Sequence, residues 1–548
     1  MKDDSKLKEL VSAPILVATI DHLISATEGV RGGKQLPAML RLLTSDLVLD
    51  EPDDFDIADL YAVCRLMNWA GMLGTRVLLS SATLPPDLIQ ALFAAYLAGR
   101  KMWQASCGTN GRPVNICCAW FDEKDADATQ IGDGATFRET HKKFVARRAL
   151  MLAEKERLHF GRIASISSPS SATQDVIESV AQTVHEQMLK LHQAHRQQHE
   201  SGKTVSLGLV RFANINSLVA VAKALITIPS PEDVCIHYCV YHSRHPLAVR
   251  SNIEKRLDRA FTRHREDDFW KNEDIAEALH KSPESHHIFV VLGTSVIEVG
   301  RDWDADWGII EPSSMRSIIQ FAGRIQRHRR NVPTSENLVI LRSNIKALQK
   351  KCPAFCKPGF ETKDRVLNSH DICELIPLTD YRTINALPRI LPANNENKLA
   401  ELEHSRLFTE LMSSKSKHVV AAQWWRAPLS WNGWMQRQTP FRYSSLPEAV
   451  FFLHMDDEES KASFYSRMGD NERKEQGNFK REEVICASGV ACWGMMDYQQ
   501  VLLDLAVEHS CEINRVGERF AEVRVPVCDE DALNGWHYHP WLGVFRAP

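Results

Sequence analysis

Short apolar runs that end in polar residues recur along the chain, at residues 15–18, 47–49, 77–79, 205–210 and 288–292. Runs of this kind, without the alternation of a half-exposed strand, predict parallel strands buried on both faces. Between them lie stretches such as 87–97 and 217–225, whose apolar residues fall at helical spacing. This alternation predicts an α/β fold in which helices cover parallel sheets. Residues 138–200, rich in Ala, Gln, His, Lys and Glu, predict long helices leading into a second sheet. From about residue 350 the rhythm fades into Cys, Pro and Asn-rich sequence. The expected blocks are therefore 1–135, 136–348, a linker over 349–440 and a smaller C-terminal domain over 441–548.

The ends of the predicted strands carry the chemistry. In Asp46-Leu-Val-Leu-Asp50-Glu51-Pro52-Asp53 two adjacent carboxylates close an apolar run, at the end of a parallel strand where ligands bind. One of Asp50 and Glu51 can hold magnesium while the other orients or deprotonates a water attacking a γ-phosphate. An acidic surface loop is the plain alternative, since Asp53, Asp54 and Asp56 continue the charge. The next run ends in Ser80-Ser81-Ala82-Thr83-Leu84-Pro85, which alone reads as a helix N-cap. Far downstream, Gly293-Thr294 leads to Glu298, Gly300 and Asp302, and then to Gln320-Phe-Ala-Gly323-Arg324-Ile-Gln326-Arg327. Arg324 and Arg327, three apart, are expected to share a helix face and to act as arginine fingers on the β- and γ-phosphates. A basic face that binds DNA or solvent is the alternative, and Arg329 and Arg330 argue partly for it.

In this order the segments resemble the two RecA-like domains of a superfamily-2 helicase. In detail they resemble the helicase-nuclease of type I CRISPR systems, subtype I-F, the family with a fused N-terminal adaptation domain. The resemblance spans roughly residues 14–345. It implies an ATP- and Mg2+-dependent 3′ to 5′ single-strand DNA translocase that unwinds target DNA for a nuclease domain. Its implied partners are single-stranded DNA, an RNA-guided surveillance complex and the adaptation integrase. Val17-Ala-Thr19-Ile-Asp21, Leu209-Val-Arg211-Phe-Ala-Asn214 and His242-Ser-Arg244 match the family's motifs, so the resemblance places Thr19, Asp21, Arg211, Asn214, His242, Arg244 and Thr294 along the strand. It assigns Ser81, Thr83, Gly300, Asp302, Gln320 and Gly323 to the nucleotide.

Two departures qualify this. No Gly-x-x-x-x-Gly-Lys-Ser/Thr loop precedes the Asp-Glu run, and such a loop cradles the phosphates in motors of this kind. Gly202-Lys203-Thr204 precedes its strand instead of following it, and Gln35 replaces the hydroxyl residue after Gly32-Gly33-Lys34. The family's His-Asp nuclease cluster is also missing, with His370-Asp371 an isolated pair. The simplest expectation is the C-terminal portion of a longer protein, with the first RecA-like domain incomplete and the isolated chain unable to hydrolyse ATP. The alternatives are a hydrolysis-incompetent module that binds DNA or a partner, and a superfamily-2 RNA helicase.

Composition changes this picture little. A formal net charge of −4, from 66 basic and 70 acidic residues, provides no global attraction to nucleic acid, so DNA contacts must be local. Thirteen cysteines without a framework spacing, and no long uncharged apolar stretch, predict a cytoplasmic protein with reduced thiols and no membrane span. Cys352, Cys356, His370 and Cys373 could supply four zinc ligands, but at a non-standard spacing that unpaired cysteines explain more simply. Trp424, Trp425, Trp431 and Trp434, with Arg426 and Arg437 interleaved, read as an aromatic core or as a platform for stacking bases.

Overall fold

The computed structural model describes residues 11–27, 32–392, 398–413, 422, 423, 425, 439–442, 447–467, 474–527 and 535–546. Of the tryptophan and arginine cluster, only Trp425 lies within them. The chain divides into two compact units. One comprises Met1–Lys155, Ala386–Glu396 and Ala400–Tyr443; the other comprises Glu156–Asn385, Asn397–Leu399 and Ser444–Pro548.

In the first unit, strands β1 (Leu47–Asp50) and β2 (Val77–Ser80) pair in parallel, with Asp50 opposite Ser80. A hairpin of β3 (Ile116–Phe121) and β4 (Ala126–Ile131) stands apart from them. Helices Ile57–Leu73 and Pro86–Cys107 bury Leu60, Leu66, Leu88 and Leu92 against Leu47 and Leu49. Their crossing is tight because both contribute glycine. A Cβ on Gly71 would lie 2.3 Å from the Tyr96 carbonyl oxygen, and one on Gly99 would lie 2.1 Å from that of Asn68. Residues 15–18, expected as a strand, form none. Their apolar side chains find no sheet partner, and Val17 is 95% exposed.

The second unit is built on strands β5 (Gly161–Ala164), β6 (Gln197–Gln198), β7 (Thr204–Arg211), β8 (Val234–Tyr241), β9 (His286–Gly293), β10 (Trp307–Ile310) and β11 (Leu338–Leu341). Towards the C-terminus follow β12 (Glu448–His454), β13 (Ser463–Arg467), β14 (Lys474–Gln476), β15 (Phe479–Arg481), β16 (Val490–Cys492), β17 (Glu522–Pro526), β18 (Trp536–His539) and β19 (Gly543–Arg546). The main sheet runs β16-β8-β9-β7-β10-β11-β5, all parallel, with β6 attached antiparallel to β7. Every residue of β7, β10 and β11 is buried, as continuous apolar strands covered on both faces require. Helices Thr173–His195 and Ile215–Leu225 pack Val180, Val184, Leu218 and Ala222 onto Ile236, Val240, Val290 and Ile309. The α/β class and the parallel sheet are thus as the sequence predicts. Strand β12 is central to a four-stranded antiparallel sheet, β14-β13-β12-β17, and β15, β18 and β19 form a third sheet. No helix among the described residues is long and apolar enough to cross a membrane.

Candidate functional site

Parallel pairing of β1 and β2 sets the acidic and hydroxyl segments side by side. The Glu51 amide donates to the Ser80 carbonyl (2.7 Å), and Glu51 itself is left-handed (φ 46°, ψ 54°), which turns the chain into a short 3-10 turn, Pro52–Asp54. A non-glycine residue in that region marks local strain of the kind found at working sites. The turn buries Asp53. Its carboxylate accepts from Ser81 Oγ (2.6 Å), Thr83 Oγ1 (2.7 Å) and the guanidinium of Arg389 (2.7 Å). Arg389 also donates to Thr83 Oγ1 (2.9 Å) and to Glu403 (2.9 Å). Arg389, Asp53 and Glu403 are all at most 3% exposed.

The electrostatics separate neighbouring acids. Burial alone would raise the Asp53 carboxyl, but the Arg389 charge and the two hydroxyls hold it below its ordinary value. Burial and the adjacent Asp53 charge push Glu51 up to about 7, against the lowering effect of the Ser81 hydroxyl. Carboxylates of Glu51, Asp53 and Asp54 approach within 4.8 Å of one another, an all-oxygen donor set suited to a hard divalent cation. Asp50, expected beside Glu51 as a metal ligand, ends β1 on the same face as the exposed Val48.

No local sequence signal marks Arg389, whose partner Asp53 is distant in the chain, or Glu403, and Asp53 itself reads in sequence only as part of an acidic run. Removing Arg389 would take the guanidinium away from two buried carboxylates, Asp53 and Glu403, and breaking a buried ion pair from one side typically costs about 3–5 kcal/mol. Arg389→Met should lower the stability of the first unit by roughly that amount in denaturant titrations. Arg389→Lys should restore only part of it, because one ammonium cannot reproduce the fork that joins Asp53, Thr83 and Glu403. A loss below about 1 kcal/mol for Arg389→Met, the level of a neutral hydrogen bond, would mean the network is dispensable.

In the second unit the expected residues gather at the C-terminal ends of β7, β8 and β9. Arg211 is fully enclosed: its guanidinium pairs with Glu298 and donates to the Glu311 carbonyl (3.1 Å) and Ser317 Oγ (3.0 Å). His242 is also buried, its Nε2 donating to the Leu542 carbonyl (2.8 Å) while its Nδ1 accepts from the Arg244 amide (3.1 Å). Either could touch a DNA strand only after these contacts opened. Arg244 is half-buried, bonded to Asn216 Oδ1 (2.9 Å) and lying over the Trp536 ring. Asn214 precedes helix Ile215–Leu225, and Thr294 follows β9 with 6% exposure. In the first unit Thr19 is exposed, and Asp21 opens helix Asp21–Ile24 and pairs with Arg442 at 3.6 Å.

The arginine pair is arranged otherwise than predicted. Helix Met315–Ala322 ends at Gly323, Ile325 bridges to Ala305, and Gln326 is left-handed (φ 51°). Arg324 and Arg327 therefore lie beyond the helix, not on one of its faces. They grip the same loop from two sides. Arg324 donates to the carbonyls of Glu298 (2.8 Å) and Arg301, and Arg327 pairs with Asp302 (2.8 Å). Gly300, with φ 66°, lets that loop turn. Hydrogen bonding from His328, and then from Arg327, holds Asp302 well below the usual carboxylate range. Gln320 lies on the same helix, half-buried.

The suggested zinc quartet does not assemble among the described residues. His370 Nε2 is turned to Glu361 Oε1 (3.0 Å), and Cys352 and Cys373 are exposed. Lys203, of the Gly-Lys-Thr segment, caps the carbonyls of Leu279 and Ser282 (2.8 and 2.5 Å).

Comparison with known proteins agrees with the family resemblance. Residues 204–330 match the family described as CRISPR-associated nuclease/helicase Cas3, C-terminal. Residues 448–546 match CRISPR-associated Cas3 subtype I-F/YPEST-like, C-terminal domain. A CRISPR-associated nuclease/helicase Cas3 subtype I-F/YPEST from Pectobacterium atrosepticum is 51% identical over 99% of this chain and 50% of its own length. Its counterpart from Pseudomonas aeruginosa is 41% identical over 97% of this chain and 50% of its own length. The chain thus spans about half the length of the curated relatives it matches. A solved CRISPR RNA-guided surveillance complex, in a pre-nicking state, contains a chain that aligns with TM-score 0.47 and 14% identity, over 98% of this chain and 61% of that one.

Proposed function

We propose that this chain, related over nearly its whole length to the CRISPR-associated Cas3 nuclease/helicases of subtype I-F/YPEST, carries part of an ATP-driven 3′ to 5′ single-strand DNA motor. The observation that carries the reading is the Asp53 carboxylate, which joins the acidic turn after β1 to both hydroxyls of the Ser-Ala-Thr segment after β2. A change on the acidic turn, where nucleotide chemistry would occur, is felt directly at the neighbouring hydroxyl segment.

Magnesium, held by carboxylates drawn from Asp50, Glu51, Asp53 and Asp54, would neutralise phosphate charge. Glu51, with its raised affinity for a proton, suits a base that accepts one from the attacking water. Arg324 and Arg327 are assigned to the negative charge that develops during transfer. Gln320, Gly323, Gly300, Asp302, Ser81 and Thr83 are assigned to nucleotide binding. Thr19, Asp21, Asn214, Arg244 and Thr294 are assigned to the strand, where hydroxyl and guanidinium donors meet phosphates without reading sequence. Arg211 and His242 belong to the same strand-end cluster, as the supports of its loops. Joined to the further half that its relatives carry, this motor would serve an RNA-guided surveillance complex, unwinding its target for a nuclease domain, and would work alongside the adaptation integrase.

The test is ATP hydrolysis with and without single-stranded DNA. The chain alone, in which no Gly-x-x-x-x-Gly-Lys-Ser/Thr phosphate loop precedes the Asp-Glu run, should show little or no DNA-stimulated turnover. Covalently joined to the remaining half found in its relatives, it should show strong stimulation. Robust turnover by the chain alone, or none by the joined protein, would overturn the reading.

A further inference from the structure

Strand alternation places Cys235 and His237, two residues apart on β8, on the same face of the main sheet. The parallel register sets His287 of β9 opposite Cys235. The opposite face of both strands carries Ile236, Tyr238, Ile288 and Val290 into the hydrophobic core, so these three polar side chains form a separate group. Their ligand atoms all lie within 4.8 Å of one another. His237 Nε2 and His287 Nδ1 are 3.2 Å apart. Two imidazole nitrogens on one tetrahedral zinc, each at about 2.0–2.1 Å, would be separated by roughly 3.3 Å.

The hydrogen bonds orient these donors. His287 Nε2 lies 3.0 Å from the Glu284 carbonyl oxygen, which can only accept. Nε2 must therefore carry the proton, leaving the Nδ1 lone pair directed into the group, the arrangement that outer-shell carbonyls impose on metal-bound histidines. Burial disfavours the charged form of all three groups: it lowers His237 and His287 and raises the Cys235 thiol to about 11, so the thiol gives up its proton only to a cation that replaces it. Cys235 is 8% exposed. The group lies near the N-terminal ends of β8 and β9, whereas His242 and Thr294 follow the C-terminal ends of the same strands.

The geometry points to a structural zinc site formed by the Cys235 thiolate and the imidazoles of His237 and His287. Thiolate with imidazole is the donor set that favours zinc over magnesium or calcium. A water, or the carboxylate of nearby Glu284, completes four-coordination. Proton balance is simple. Binding releases the Cys235 thiol proton, while the His237 proton moves from Nε2 to Nδ1 without leaving the ring, for a net release of one proton per zinc.

The test uses the full chain, stripped with a chelator and titrated with Co2+ as a spectroscopic substitute. One equivalent should bind with a thiolate-to-cobalt charge-transfer band. Cys235→Ser should abolish the band, and His287→Gln should weaken binding by at least about tenfold. The double variant Cys352→Ser/Cys373→Ser should titrate as wild type. Should Cys235→Ser fail to fold, the wild-type chain still decides: stoichiometric zinc after purification, and a thermal midpoint raised by added zinc, are expected. A wild-type chain that binds no cobalt, or a band that survives in folded Cys235→Ser, would overturn the site and leave the group as histidines hydrogen-bonded within the sheet face.

Discussion

Arg327→Ala, in a protein that also carries the phosphate loop, should lower ATP turnover at saturating DNA by roughly a thousandfold or more. Single-strand affinity and its salt dependence should change little. A residue that merely anchored DNA would fail in the opposite way, weakening binding and reducing the salt slope by about one charge while leaving saturated turnover intact. Arg327 is the cleaner probe of the pair. Its side chain is 43% exposed and holds the loop through an ion pair with the similarly exposed Asp302, so its deletion disturbs that loop less than loss of Arg324 would. Arg324 holds backbone carbonyls of the loop at Glu298 and Arg301, and Arg324→Ala should loosen that loop as well as slow the reaction. If Arg327→Ala keeps near wild-type turnover at saturation while affinity and salt slope both fall, the arginine belongs to the DNA surface.

Glu51→Gln should reduce turnover by roughly 10²- to 10⁴-fold, the usual contribution of a general base, and should leave ATP bound, since affinity comes mainly from phosphate and base contacts. The pH dependence supplies a second signature. A base must be ionised, and Glu51 is raised to about 7, so wild-type turnover should climb between about pH 6 and about pH 8. Folding responds with the opposite sign. The folded state holds this proton more tightly than the unfolded chain, so the contribution to stability is fully present below roughly 4.3, the unfolded value. It is lost as pH rises through about 7. Glu51→Gln should flatten that part of the stability profile. Near-normal hydrolysis by Glu51→Gln would remove the residue from catalysis.

What the sequence revealed and concealed follows from the range of each interaction. Strands β1, β2, β7 and β9 were legible because strands buried on both faces are written as local apolar runs. Strand β5 was not, since Gly161-Arg-Ile-Ala164 is short and carries an arginine. Residues 15–18 have the same apolar look, but a strand exists only where a partner completes its hydrogen bonds. The spacing of Arg324 and Arg327 implies a shared helix face only if the helix continues, and Gly323 ends it. Arg389 was illegible for another reason. Its partner Asp53 lies 336 residues away in sequence, and no periodicity or local motif encodes a pairing of that range.

Strand β16 has a consequence for how the protein is made. It completes the edge of the main sheet by pairing with β8, with Val490 opposite Ile236, about 250 residues later in the chain. Until the ribosome has delivered it, β8 is an open edge of unsatisfied amides and carbonyls, the kind of surface that recruits strands from other molecules. Closing so long a loop is also entropically slow. The nascent second unit therefore passes through a window in which its sheet is formed but unguarded, when chaperone binding would matter most. Chains shortened from the C-terminus before β16 should make that window permanent and emerge as aggregates, however intact their other strands.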